Sequence, residues 1–213
     1  MIRITSFEKM LAAFLVFFLV LLYSRIGYTG RCMYAFLLWN IFLGWLPYWF
    51  SKKALAMRNI TGWVFASSWL LFFPNSLYII TDLIHLESKR DMPIWFDALL
   101  VITAAILGIL FAFASLYKME KFFEYRQHKK LTKIAMVGIF FISSFGVYLG
   151  RFLRWNSWDV FTNPISLGKE IGFLVLRPIH HYKSWVITVL FTCFFSLLYF
   201  TLKKLPSLLK EYE

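Results

Sequence analysis

Asp82, His85 and Asp97 lie at the ends of apolar stretches in this 213-residue chain. Carboxylates and imidazoles are the side chains that commonly take part in acid–base catalysis or bind metals. Asp82 and His85 are three residues apart, so one helical turn presents a carboxylate beside an imidazole. Asp97 can add a third group, and three protein ligands with a water are typical of catalytic zinc. We therefore predict Asp82, His85 and Asp97 as catalytic candidates, and Asp82 and His85 as ligands of a divalent metal. The alternative is a wet or ion-paired helix end, because a single D-x-x-H spacing is weakly specific.

Further polar residues accompany this pair. Asn75 and Tyr78 precede Asp82 and His85 at spacings that place all four on one stripe of an α-helix. Asn40 lies inside the preceding apolar stretch. Asn40, Asn75 and Tyr78 are therefore predicted to bind substrate, with one structural alternative. In that alternative the two asparagines satisfy backbone carbonyls that Pro74 leaves free.

A second polar segment runs from residue 151 to residue 159 and is rich in groups that bind ligands. Arg151 and Arg154 are one turn apart and can hold a phosphate or carboxylate through two forked hydrogen bonds. Trp155 can stack on a sugar or anchor in the membrane interface. Asn156 and Asp159 complete this predicted substrate-binding set. The alternative is that the arginines form structural ion pairs with Asp82 or Asp97.

The composition identifies the setting of these residues. The chain is 60% hydrophobic and 16% charged, whereas soluble domains are about 45–50% apolar. These values exclude a soluble globular fold and a disordered chain, and two cysteines are too few for a disulfide scaffold. The net charge of +12 fits basic loops facing the cytoplasm. No basic face on a soluble module is evident, so nucleic-acid binding is not expected.

The apolar residues form six stretches of the length that crosses a bilayer as a helix. We predict an all-α, polytopic membrane helix bundle as a single domain over 1–213, with an outer loop at 150–183 that includes an interfacial segment. Lys and Arg are more frequent in the segments that would lie on the same side of the membrane as the N-terminus. Because such residues favour the cytoplasmic side, we predict that both termini are cytoplasmic. Ala104, Gly108 and Ala112 predict a close helix-packing seam. The predicted spans are Phe7–Tyr23, Cys32–Phe50, Thr61–Ile80, Ile94–Tyr117, Ile134–Leu149 and Ser184–Leu202.

Several strings resemble a known family. They are Trp39-Asn40 with Trp45-Leu46-Pro47, the run from Trp69 through Pro74-Asn75 and Asp82-Leu83-Ile84-His85 to Leu86, Trp95-Phe96-Asp97, and Gly150-Arg151-Phe152-Leu153-Arg154-Trp155-Asn156-Ser157-Trp158-Asp159. They are similar to the bacterial integral-membrane family called Domain of Unknown Function 1361. The resemblance implies a multi-pass protein of the bacterial plasma or inner membrane. The family name carries no activity, so it implies no chemistry.

Three functions remain open, and an enzyme is one form of the first. The first is an extracytoplasmic-facing polar site that binds or processes an anionic lipid headgroup or a lipid-linked sugar. The second is a non-catalytic partner or assembly subunit in which the cluster forms structural ion pairs. The third is a transporter component, which is disfavoured because the inner halves of spans three to five are nearly all apolar. Beyond the lipid bilayer, the sequence names no partner protein and no cofactor.

Overall fold

The protein is all-α, as predicted, in a computed structural model that describes residues 5–86, 92–127 and 133–210. These ranges contain eight α-helices, one 3-10 helix and no strand. The α-helices are α1 (Ser6–Thr29), α2 (Phe36–Ala56), α3 (Ile60–Tyr78), α4 (Ile94–Gln127), α5 (Lys133–Leu153), α6 (Asp159–Thr162), α7 (Pro164–Leu176) and α8 (Tyr182–Lys210). The 3-10 helix, Ile79–His85, follows α3 directly.

Five of the described helical segments are long and apolar enough to cross a membrane. They are Ser6–Thr29, Ile60–His85, Ile94–Arg126, Lys133–Leu153 and Tyr182–Pro206, which correspond to five of the six predicted spans. The second predicted span forms α2, a helix of 21 residues, but it does not reach the same apolarity. Its Asn40, Pro47 and lysine pair, with several Trp and Tyr, make it the most polar of the six.

The bounds of α1 follow from local signals at both ends. Thr5 caps the first turn, since its side chain accepts from the N–H of Glu8 and its own N–H donates to the Glu8 carboxylate at 2.9 Å. Gly30 ends the helix at a φ of 65° and donates to the carbonyl of Ile26. The helix therefore extends six residues beyond the predicted end at Tyr23 and includes Arg25.

The chain divides into two compact units, Met1–Met119 and Glu120–Glu213, with the boundary inside α4. The single domain that we predicted for 1–213 stays a prediction. In the first unit, side chains of α1, α2, the 3-10 helix and α4 share one apolar core. Its fully buried members include Phe18, Leu37, Ile79, Leu100 and Leu107.

Two glycines allow the helices of the first unit to approach closely. A Cβ at Gly108 would lie 2.5 Å from the carbonyl oxygen of Ser76, and a Cβ at Gly44 would lie 2.8 Å from the side chain of Ile79. The Ser76 hydroxyl donates to the carbonyl of Gly44 at 2.6 Å. The predicted seam along Ala104, Gly108 and Ala112 is thus a site of close packing.

In the second unit α5 packs against α8. Phe145 stacks on Trp185 with ring centroids 5.5 Å apart, and Phe140 contacts Tyr199 edge to face. The indole N–H of Trp185 donates to the carbonyl of Leu174 at 3.3 Å, which ties the end of α7 to α8. α7 buries Leu167 and Leu174 and leaves most of its other apolar side chains exposed.

Candidate functional site

Asp97, predicted as a catalytic candidate, forms a buried ion pair with Arg25. The guanidinium of Arg25 donates to both carboxylate oxygens, at 2.6 Å from Nε and 3.1 Å from Nη2. Both side chains are only 3% exposed. Asp97 also lies in the first turn of α4, where the helix dipole favours a negative charge. A forked pair buried this deeply occupies both oxygens of Asp97, so the carboxylate is arranged for structure rather than for proton transfer.

Tyr34 connects this ion pair to the 3-10 helix. The Arg25 guanidinium lies over the Tyr34 ring, 4.5 Å from its centroid. The Tyr34 hydroxyl donates to the backbone carbonyl of His85 at 3.1 Å. Contacts therefore run from Asp97 through Arg25 and Tyr34 to the segment that carries Asp82 and His85.

Asp82 is fully buried and accepts a hydrogen bond of 2.8 Å from the side-chain amide of Asn40. The structure thus joins two predicted site residues from different helices, α2 and the 3-10 helix. A carboxylate without exposure needs such donors, because burying an unsolvated charge is costly. Asn40 therefore acts on Asp82 as a donor.

The single α-helical stripe predicted for Asn75, Tyr78, Asp82 and His85 is wrong. The α-helix ends at Tyr78, and the 3-10 helix that follows has three residues per turn. Asp82 and His85 stay one turn apart, but Asp82 is buried whereas His85 is exposed. The amide of Asn75 donates to the carbonyl of Phe72 in its own helix at 3.0 Å. Tyr78 is half-buried, and its carbonyl accepts from the Thr81 hydroxyl.

Asp97, the possible third ligand of the predicted metal site at Asp82 and His85, pairs with Arg25 instead. Within the described ranges, no group of three or more His, Cys, Asp or Glu is arranged to hold a metal ion. His85 instead places its ring edge against Phe36, with centroids 5.3 Å apart. Metal binding by Asp82 and His85 remains an untested expectation.

The second predicted segment begins where α5 ends. Arg154 has a φ of 60°, and the described part of the chain contains no other non-glycine residue with positive φ. The backbone reverses there, and the N–H of Trp155 donates to the carbonyl of Leu149 at 3.1 Å. Arg151 is half-buried, whereas Arg154 is exposed. A residue with a Cβ in the left-handed region costs about 1–2 kcal/mol, so this position would be easier to fill with glycine.

Asp159 stabilises the turn that follows. One of its carboxylate oxygens accepts from the backbone N–H of Asn156 at 2.7 Å, and the other accepts from the Thr162 hydroxyl at 3.1 Å. The Asn156 side chain adds a longer contact of 3.4 Å. Asp159 therefore holds the loop in shape. The half-buried Trp155 and Trp158 and the exposed Arg154 remain as the groups through which this turn can meet a ligand.

The predicted joint cluster of Asp82, His85, Asp97, Arg151 and Arg154 involves both units and stays a prediction. Sequence reasoning missed Arg25 and Tyr34. The first span was predicted to end at Tyr23, which placed Arg25 in the loop that follows it. A span of 17 residues is at the short limit for crossing a bilayer, which could have indicated that the helix continues through Arg25.

Two further ionic groups were also missed, one in each unit. In the first, the Glu8 carboxylate accepts from the Tyr48 hydroxyl at 3.2 Å and from the Lys52 ammonium. In the second, Glu120 accepts from the Tyr199 hydroxyl at 2.6 Å and from Lys203. In both, Tyr and Lys are four residues apart on one helix, so they share a face. That recurring Tyr-x-x-x-Lys spacing was the available signal.

A family model described as "Protein of unknown function (DUF1361)" matches residues 39–198, which is most of the chain and includes both polar segments. The search of curated proteins and the search of solved structures each return no match.

Proposed function

Because the chain belongs to this family of proteins of unknown function, its activity has to be argued from its own residues, and we propose that it binds an anionic lipid headgroup. The protein is a multi-pass membrane protein by its helices. The proposed binding element is the turn at 151–159, on the extracytoplasmic face of a bacterial plasma membrane. That orientation rests on the distribution of Lys and Arg in the sequence.

The single observation that carries the proposal is the backbone of Arg154. A left-handed backbone favours glycine, and yet an exposed arginine stands there. The guanidinium of an arginine forms two parallel hydrogen bonds with a phosphate or carboxylate. The backbone strain is then offset by the ligand that the side chain holds. Trp155 and Trp158 beside it suit the boundary between headgroups and acyl chains.

Binding is better supported than catalysis. Asp97 is engaged by Arg25, and Asp82 accepts from Asn40. Asp159 is engaged by its own turn. General acid–base catalysis needs a group that can exchange a proton with substrate, and these carboxylates already have structural partners.

A second candidate function has its own support in the first unit. The forked, buried pair of Arg25 and Asp97 supports a non-catalytic assembly subunit with structural ion pairs, although the predicted partner of Asp97 was Arg151 or Arg154. In that case the cluster of the first unit would keep a helical surface in shape for a partner chain.

The test compares Arg154→Gly with Arg154→Lys in detergent-purified protein. Flotation with vesicles is not informative for an integral protein, so the probe is native mass spectrometry with added phosphatidylglycerol. We expect both variants to lose about tenfold in bound lipid, because neither keeps the planar fork. Lys169→Ala removes an exposed positive charge from α7 and serves as the matched control.

The stability of Arg154→Gly makes the test decisive. If Arg154 serves the ligand, Arg154→Gly binds less lipid and unfolds at a higher temperature, because glycine relieves the backbone strain. Unchanged lipid binding in both Arg154 variants would contradict the proposal. A loss of stability in Arg154→Gly would assign Arg154 a structural role instead.

A further inference from the structure

The buried face of α8 carries hydroxyl groups along most of its length. Ser184, Thr188, Thr192 and Ser196 recur every four residues, and Tyr199 continues the same face. All five are buried, from 0% exposed at Ser184 and Thr188 to 8% at Ser196. We call these five residues the hydroxyl stripe.

The opposite face of α8 is apolar. Its exposed side chains include Val189, Leu190, Phe194 and Leu197. A helix of a soluble protein does the reverse, with its apolar side chains buried. In a membrane, hydroxyl groups turned inward and apolar groups turned outward are typical of a helix that packs on its neighbours or borders a polar interior.

The stripe covers most of the apolar thickness of a bilayer. From Ser184 to Tyr199 there are 15 helical steps, or about 22 Å at 1.5 Å each, and Lys203, which binds Glu120, lies one turn further on. The hydrocarbon core of a bilayer is about 30 Å thick. The apolar inner halves of spans three to five argued against a path, but this stripe in α8 supplies hydroxyls over most of that depth.

Hydrogen bonding along the stripe is incomplete. The hydroxyls of Thr188 and Thr192 donate to carbonyls four residues earlier in α8, at 2.7 and 2.6 Å, and each keeps its lone pairs. The hydroxyl of Ser196, and that of Ser144 on the neighbouring α5, form no hydrogen bond within the described residues although both are buried. An unsatisfied buried hydroxyl is costly, so both favour a polar occupant such as water.

Ionisable groups flank the stripe at both of its ends. His181 lies three residues before Ser184, and its carbonyl accepts from the Ser184 hydroxyl at 2.6 Å. At the other end Tyr199 donates to Glu120, whose side chain is only 12% exposed and which also binds Lys203. A proton donor or acceptor is therefore available where the stripe begins and where it ends.

We propose that the hydroxyl stripe is hydrated and conducts protons between His181 and Glu120. Side chains four residues apart are about 6 Å apart along the helix axis, so one water can bridge neighbouring hydroxyls with two ordinary hydrogen bonds. A proton enters at His181 and each water or hydroxyl passes one on, breaking one O–H bond as it forms another. The proton leaves through Tyr199 and Glu120, and a parallel cation flow balances the charge.

Proton flux in vesicles tests the proposal directly. The full chain is reconstituted with an internal pH-sensitive dye, and a potassium gradient with valinomycin drives protons. We expect flux above that of protein-free vesicles and a decrease of about tenfold in Thr192→Val, which keeps the shape and removes the hydroxyl. Thr192→Ser should restore most of the flux. Ser68→Ala, which removes a comparable back-bonded hydroxyl from α3, should leave it unchanged.

A labelling experiment tests hydration alone. In a chain with Cys32→Ala and Cys193→Ala, Ser196→Cys should react with a small charged thiol reagent. Leu197→Cys, on the exposed apolar face, should not react in the bilayer. Equal reactivity at both positions, or no flux above protein-free vesicles from correctly folded wild-type protein, would overturn the proposal. Flux that survives in Thr192→Val would show that the stripe serves only to pack α8.

Discussion

Arg25 and Arg154 lie near the ends of helices in different units, and they differ in burial. Arg25 is buried, with both carboxylate oxygens of Asp97 and the ring of Tyr34 around it. Arg154 is exposed, on a backbone that would suit glycine better. A buried charge needs a partner within the fold, whereas an exposed one does not. Arg25 therefore stabilises the interior of the first unit, whereas Arg154 of the second unit is exposed at the surface.

Two glycines of the first unit are closely packed, whereas Gly27 and Gly30 of the same unit meet open space. Gly44 and Gly108 in the first unit lie against other helices, so a Cβ at either would collide with a neighbour. Gly138, Gly168 and Gly172 in the second unit have no atom within 4 Å of such a Cβ. Both units nevertheless hold a glutamate with a Tyr-x-x-x-Lys pair, at Glu8 and at Glu120. Paired charge is thus common to both units, whereas close contact of a glycine with another helix is observed at Gly44 and Gly108 of the first unit.

The largest expected effect comes from separating Arg25 and Asp97. Asp97→Ala leaves a buried guanidinium without its carboxylate, which is expected to cost about 3–5 kcal/mol of stability. Unfolding in mixed detergent micelles measures it. The double variant Arg25→Met with Asp97→Leu should recover most of the loss, because an apolar pair needs no solvation. If the double variant is as unstable as Asp97→Ala, the ion pair is not the cause.

The next effect concerns Asn40. In Asn40→Leu the buried Asp82 loses a charge-assisted hydrogen bond, with an expected cost of about 1.5–3 kcal/mol. Trp39→Leu changes the neighbouring exposed side chain of the same helix and should cost much less. The same unfolding assay compares the two variants. Equal stabilities would show that this hydrogen bond contributes nothing measurable to the first unit.

Glycine substitutions sharpen the comparison of packing. Gly108→Ala forces the α4 backbone away from Ser76, and overpacking of this kind costs about 1–3 kcal/mol. Gly138→Ala in α5 meets open space and should stabilise the protein by about 0.5–1 kcal/mol, because alanine favours the helix. Thermal unfolding of the two variants should therefore shift in opposite directions. Shifts of the same sign would mean that the two glycines are in similar environments.

A small gain in stability is expected from Arg154→Gly. Relief of the left-handed backbone should stabilise the second unit by about 1 kcal/mol. Arg177→Gly is the matched control, since that exposed arginine has a negative φ of −124° and lies over the Phe173 ring. It should be neutral or slightly destabilising. If Arg154→Gly destabilises as much as Arg177→Gly, the arginine contributes contacts that outweigh its backbone strain.

Sequence patterns predicted the fold class and the polar strings because both depend on local composition. Long apolar runs must become helices in a bilayer, since only helices satisfy their own backbone groups there. Five of the six predicted spans meet the requirements of length and apolarity. The hydroxyls of α8 recur in the sequence at a spacing of four, but this spacing does not indicate which face of the helix is buried, because serine and threonine can bond to their own helix backbone.

What the sequence determined by itself is therefore a multi-pass helical protein with two polar segments, around Asp82 and around Arg154. Only the tertiary structure decided that Asp97 pairs with Arg25, that Asn40 donates to Asp82, and that α3 changes to a 3-10 helix at Ile79. The first two outcomes depend on residues 72 and 42 positions apart in the chain meeting in space. Helix propensity and apolarity act over a few turns, whereas the partner of a buried charge is chosen by the packing of whole helices.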